Sequence, residues 1–234
     1  MPLVDIRSIV KHHGGLRPFR LRELSVEAGD VVGIGGPDEQ SAAVFTDLLT
    51  GTTLPDEGEI VVAGRSTASL RTPDQWLSFL DCFGLVNARA VLLDQLTIAQ
   101  NLAIARTLDV DPMSAETRDM AARMAAEVDV DPSALDEVLA AGPALARLRI
   151  RLGRALAHNP SVLVIEHPSL GLERGEVADA ARLIRRVGEG RRLASIVVSA
   201  DPEVLRVSAT RALTWRPATG ELVRATRWPR WARR

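Results

Sequence analysis

Apolar residues fall into short runs near both ends of the chain and into longer helical periods in the middle. Runs near residues 3–10, 21–26, 31–35 and 59–63 predict strands, the last preceded by the turn-forming "LPDEG". Two later runs, "SVLVIE" (161–166) and "ASIVVS" (194–199), are apolar without alternation. Such runs suit strands covered on both faces, as in a parallel sheet. Helical patterns occupy "AAVFTDLLTG" (42–51), "SAETRDMAARMAAEV" (114–128) and "EVADAARLIRRVGEG" (176–190), the last ending in glycines.

The stretch from about 96 to 156 is helix-like throughout and carries no convincing strand. It predicts one domain over residues 1–223, with an α/β core from 1–95 and 157–223 and a helical subdomain inserted at about 96–156. Residues 224–234 read as an Arg/Trp-rich tail interrupted by Pro229.

At 234 residues with 46% apolar and 25% charged side chains, the chain has enough apolar content for a sizeable core. Its formal charge of -1 gives no electrostatic reason to expect nucleic acid as a partner. No apolar run approaches the ~20 residues that span a bilayer, and the N-terminus lacks the regions of a signal peptide, so a cytoplasmic location is expected. The single cysteine, Cys82, has no internal disulfide partner, and no Cys/His spacing suggests a metal site. Lys11 is the only lysine.

That last count matters at "GGPDEQSAAVF" (35–45), which lies between a strand-like and a helix-like run, the setting of a phosphate-binding loop. In G-x-x-x-x-G-K-[ST] the glycines let backbone N–H groups wrap phosphates, the lysine neutralises them and the hydroxyl holds Mg²⁺. Here the frame is Gly36-x-x-x-x-Ser41-Ala42-Ala43, retaining one of four defining positions. Asp38 and Glu39 add carboxylates, each opposing a phosphate ~5 Å away by roughly 3 kcal/mol at an effective dielectric of ~20, and less if solvated. A helix N-terminus returns only ~0.3–1 kcal/mol per exposed anion, and either acid can cap the helix instead.

From about residue 4 to 223 the chain resembles the ATPase subunits of ABC transporters. The resemblance rests on ordered landmarks: residues 29–65 for the phosphate loop and the following turn, "LLDQLTIAQNLAIA" (92–105), and "RIRLGRALAHNPSVLVIEHPSLGLE" (149–173) for the end of the signature helix, the Walker B strand and the D-loop. It implies a P-loop NTPase core with an antiparallel β-subdomain and an inserted helical subdomain. It also implies sites at which this sequence departs from the family. Glu166 and His167 stand where the family has Asp-Glu, and Ala200 stands at the switch histidine. Asn87 replaces the Q-loop glutamine and Glu173 the D-loop aspartate, while the adenine-stacking aromatic falls near His12 and His13. The signature pentad becomes Gly142-Pro143-Ala144-Leu145-Ala146, in which Pro143 lacks an N–H.

The resemblance therefore implies an ATP-binding-subunit homologue that does not hydrolyse ATP, a structural or regulatory part of a transport complex with neither a catalytic residue nor a metal or cofactor expected. Weak ATP and Mg²⁺ binding stays open. The alternatives are a divergent but active ATPase using Gly36, Ser41 and Glu166, and a stand-alone regulatory module. Expected partners are a transporter membrane subunit, another ABC ATPase subunit, or both, placing the protein at the inner face of the membrane. Leu92, Leu93, Leu96, Thr97 and Asn101 are the candidate docking residues, with Leu92, Leu93 and Leu96 as core and Thr97 as a helix cap the competing assignment. Trp228 and Trp231 among Arg227, Arg230, Arg233 and Arg234 suit peripheral contact with an anionic membrane.

Overall fold

The computed structural model describes residues 1–14, 17–140 and 142–224. The candidate membrane contact at 227–234 lies outside them. Two sheets organise the chain. Strands β1 (Val4–Lys11), β2 (Phe19–Val26), β4 (Glu57–Val62) and β5 (Arg65–Ser66) form an antiparallel sheet in the order β2-β1-β4-β5. Strands β3 (Val31–Gly35), β6 (Phe83–Val86), β7 (Val162–Glu166), β8 (Ala194–Val198), β9 (Arg211–Arg216) and β10 (Glu221–Arg224) form the second, in the order β10-β9-β3-β8-β7-β6. It is parallel from β9 to β6, and β10 runs antiparallel at its edge.

The continuous apolar runs of β7 and β8 sit centrally, and alternate residues serve opposite faces. Val162, Val164, Ala194, Ile196 and Val198 join the core shared with the antiparallel sheet and helix α1 (Glu39–Leu49). Leu163, Ile165 and Val197 join a second core on the other face, shared with helix α6 (Val177–Gly190) and the helical insertion. The insertion contains α3 (Ile98–Ala103), α4 (Ala115–Glu127) and α5 (Ala144–Leu156). Among its described residues the extended pairings are two isolated bridges, Thr97 with Val138 and Val110 with Met113. Its apolar interior is continuous with one face of the main sheet, so it is a subdomain that cannot bury its core alone.

The elements β5, α2 (Pro73–Leu80), β6, α7 (Pro202–Ser208), β9 and β10 have no counterpart in the strand and helix pattern read from sequence. Strand β10 ends at Arg224, the first residue of the stretch read as a tail. Among the described residues no helix is long and apolar enough to cross a membrane.

Candidate functional site

The phosphate-loop sequence does form a strand–turn–helix corner. Gly36 follows β3 with φ +108°, a region that L side chains rarely adopt, and a Cβ there would lie 3.0 Å from the backbone oxygen of Trp215 on β9. The surviving glycine is therefore demanded by the fold itself. Asp38 is extended (φ −77°, ψ 178°) and caps α1, its Oδ1 accepting the N–H of Ser41 at 2.8 Å. Ser41, through its side chain and its N–H, holds the Asp38 carboxyl below the usual carboxylate range, with the nearby charge of His167 acting in the same direction. Glu39 is exposed in the first turn of α1, where solvent screens its repulsion toward an anion. At the family's lysine position, Ala42 is fully buried and packs in the same core as Phe45, Leu48 and Leu49. Ala43 is half-buried.

At the end of β7 the Glu166 side chain is only 10% exposed. It accepts from Asn87 Nδ2 at 3.3 Å and from Arg89 Nη2 at 3.0 Å. The other end of the Arg89 fork donates to Asp47 Oδ1 on α1 at 2.8 Å. Burial opposes the charge of Arg89, but the bond to Asp47 and the charges of Glu166 and Asp47 outweigh it and bind its proton more tightly than in a free guanidinium. Neither Arg89 nor Asp47 was legible as a site residue, because their partners lie 42 and 77 positions apart in sequence.

His167 is buried and adopts φ +44°, its N–H donating to Val198 O at 2.7 Å while its Nε2 has no partner. One side of it faces a cavity of about 220 Å³ lined by Asn87, Ala144, Arg147, Arg151 and Glu166. The other side borders a groove of about 570 Å³ that includes Leu170, Ala200 and Asp201. Ala200 offers no polar side chain to that groove, and Asp201 caps α7 through the N–H of Glu203. The signature-like pentad leads into α5, with Pro143 as its N-cap residue and no side chain capping the helix. Ala144, Leu145 and Ala146 fill the first turn without a side-chain donor or acceptor. His12 is exposed, and Lys11 is paired with Asp56 at 3.0 Å.

The candidate docking residues divide. Leu92 is 4% exposed and Asn101 is fully buried. Asn101 accepts from Leu93 N–H at 2.9 Å and donates to the oxygens of Leu93, Leu96 and Thr97 at 2.9–3.3 Å. Both residues hold the entry to α3 and present nothing to a partner, which corrects their assignment as docking residues. Thr97 forms a capping box with Gln100, while Leu93, Leu96 and Thr97 itself remain partly exposed.

No family model matches the chain. Over 205 residues it is 26% identical to a sulfate/thiosulfate import ATP-binding protein, CysA, of Methylococcus capsulatus, covering 86% of this chain and 56% of that one. The CysA of Gloeobacter violaceus is 28% identical over 88% of this chain and 58% of its own. An Fe(3+) ions import ATP-binding protein, FbpC 1, of Rhodococcus jostii is 27% identical over 89% and 60%. The chain thus spans less than two thirds of these relatives. Among solved structures, a dimeric ATP-binding cassette in a post-hydrolysis state bound to ADP and Pi superposes with a TM-score of 0.74 at 20% identity, covering 96% of this chain and all of that one. The cbiO1 component of an ABC transporter complex from Clostridium perfringens gives 0.76 at 13% identity, over 95% and 87%. The chain is thus similar to the family of ABC-transporter ATP-binding subunits, and its fold is that of their ATPase cassette.

Proposed function

We propose that this chain is a non-hydrolysing member of that family, serving as a structural or regulatory subunit of a transport complex. The observation that carries the proposal is the Asp38–Ser41 cap. The helix N-terminus that would meet a phosphate has one of its donors taken by the chain's own carboxylate, held ionised at neutral pH. The surrounding residues do not fit Mg²⁺-ATP. Ala42 is a core methyl where a phosphate-neutralising ammonium would stand, and Ala43 has no hydroxyl for a metal. The acid at the end of β7 is engaged by Asn87 and Arg89. His167 has the chemistry of a base, but a base acts only on a positioned reactant. Ala200 has no side-chain donor at the switch position, and Pro143 lacks the N–H that a signature residue would offer a partner's nucleotide.

With the chemistry gone, the family's assembly role is what this scaffold can still perform. The expected partners are a membrane permease subunit and an intact ATPase subunit, which would bring the protein to the inner face of the membrane. Calorimetric titration with Mg²⁺-ATP should give no binding in the micromolar range, and hydrolysis should match a Glu166→Gln, His167→Ala double variant. Turnover well above that variant overturns the proposal. Co-purification with a permease supports the transport role, whereas a soluble partner alone points to a stand-alone regulator.

A further inference from the structure

The geometry points to Arg89 as a tethered cation standing in for a divalent ion at the end of β7, so that the connection from β6 to α3 is clasped to the core without nucleotide or metal. This rests on the reading that the corner is no longer a nucleotide site. Three elements meet at one guanidinium: the connection itself through Arg89, α1 through Asp47 and β7 through Glu166. Asn87, two residues earlier, donates to the same Glu166 oxygen and accepts from Ala90 N–H at 3.1 Å, closing the turn that presents Arg89.

A carboxylate as buried as that of Glu166 requires a counter-charge, and two carboxylates converging from different elements would repel without one. A metal meets that demand only when bound, whereas Arg89 meets it always, and its planar fork spans two acids that one ammonium could not reach with the same geometry. The surroundings also disfavour a free cation. Arg147 and Arg151 line the adjoining cavity, and the half-buried Arg151 donates its Nε to the oxygen of Ala90. Among the described residues no group of three or more His, Cys, Asp and Glu side chains comes together as a cation site. The clasp therefore holds the connection to the helical subdomain in this arrangement whether or not a ligand is present.

Hydrogen exchange on the full chain, with Mn²⁺ alone and with Mg²⁺ plus ATP, tests this. In the unaltered protein neither addition should change protection across residues 87–96. Arg89→Ala should speed exchange there by at least about tenfold while leaving α4 unchanged, and Arg89→Lys should fall between the two. Unchanged exchange in both variants overturns the clasp. So does Mn²⁺ binding to the unaltered protein that disappears in Glu166→Gln, a result that needs no Arg89 variant to fold. Mn²⁺ binding of that kind without ATP turnover removes the clasp alone, whereas ATP turnover removes the non-hydrolysing function.

Discussion

A methyl group added at Gly36 would lie 3.0 Å from the carbonyl oxygen of Trp215, on a backbone already at φ +108°. Trp215 cannot easily yield, since its ring stacks on Phe19 at 5.1 Å and its Nε1 donates to Arg20 O at 2.8 Å. Gly36→Ala should therefore destabilise the protein by about 1–3 kcal/mol, read as a lower denaturant midpoint. The loss should be the same with and without ATP, because the glycine serves the β3–β9 junction.

Asp38→Asn tests the cap by pH. The Asp38 carboxyl is held below its ordinary value of 3.8, so the folded state binds its proton less readily than the unfolded chain. Its contribution is fully present above that ordinary value and disappears as pH falls through the lower, folded one. The stabilities of the two proteins should thus differ by a constant amount at neutral pH and converge as pH falls below about 4. Asp38→Ala, which abolishes the cap, should cost about 0.5–2 kcal/mol at pH 7. A pH-independent difference between the native protein and Asp38→Asn would contradict the assignment.

What the sequence made legible and what it did not follow from the range of the interactions involved. The runs that became β7 and β8 are buried on both faces, and burial on both faces leaves an uninterrupted apolar signature. The phosphate-loop corner is local too: cap, glycine and helix lie within a few residues. By contrast, β6 is four residues long and contains Gly84, whose added Cβ would meet the oxygen of Ala155 at 2.6 Å, so its close packing on α5 reads in sequence as a weak strand. In β9 the mixed sequence "RALTWR" carries an arginine at each end, and the strand is fixed by pairing with β3, distant in sequence. Arg89 had no local signature at all. The docking assignment at Leu92 and Asn101 went astray because leucines and an asparagine ahead of a helix look alike whether they face a partner or pin a turn.

Asn101→Ala removes a fully buried amide and strands the N–H of Leu93 and the carbonyls it served. Leaving such groups unsatisfied costs about 1–3 kcal/mol each, partly relieved if water enters. The variant should lose about 2–4 kcal/mol in equilibrium unfolding, with hydrogen exchange rising first around residues 93–97. Any loss of partner binding should track that unfolding and recover under conditions that restore the fold.

Pro143 offers a change in the opposite direction. Its backbone (φ −52°, ψ 145°) is already that of an N-cap residue, yet α5 has no side-chain cap. Arg147 N–H reaches Pro143 O at 3.1 Å, leaving earlier N–H groups of the first turn without an intrahelical acceptor. Serine at this exposed position can keep the backbone angles and accept one of those donors, contributing about 1 kcal/mol. Pro143→Ser should raise the thermal midpoint by about 2–4 °C for a chain of this size. It also restores a backbone N–H to the signature-like turn. If the loss of activity is distributed over the phosphate loop, the β7 end and the switch position, as proposed, the more stable variant should remain without ATP turnover even when paired with an intact family member. Turnover that appears on this single change would locate the defect in Pro143 alone.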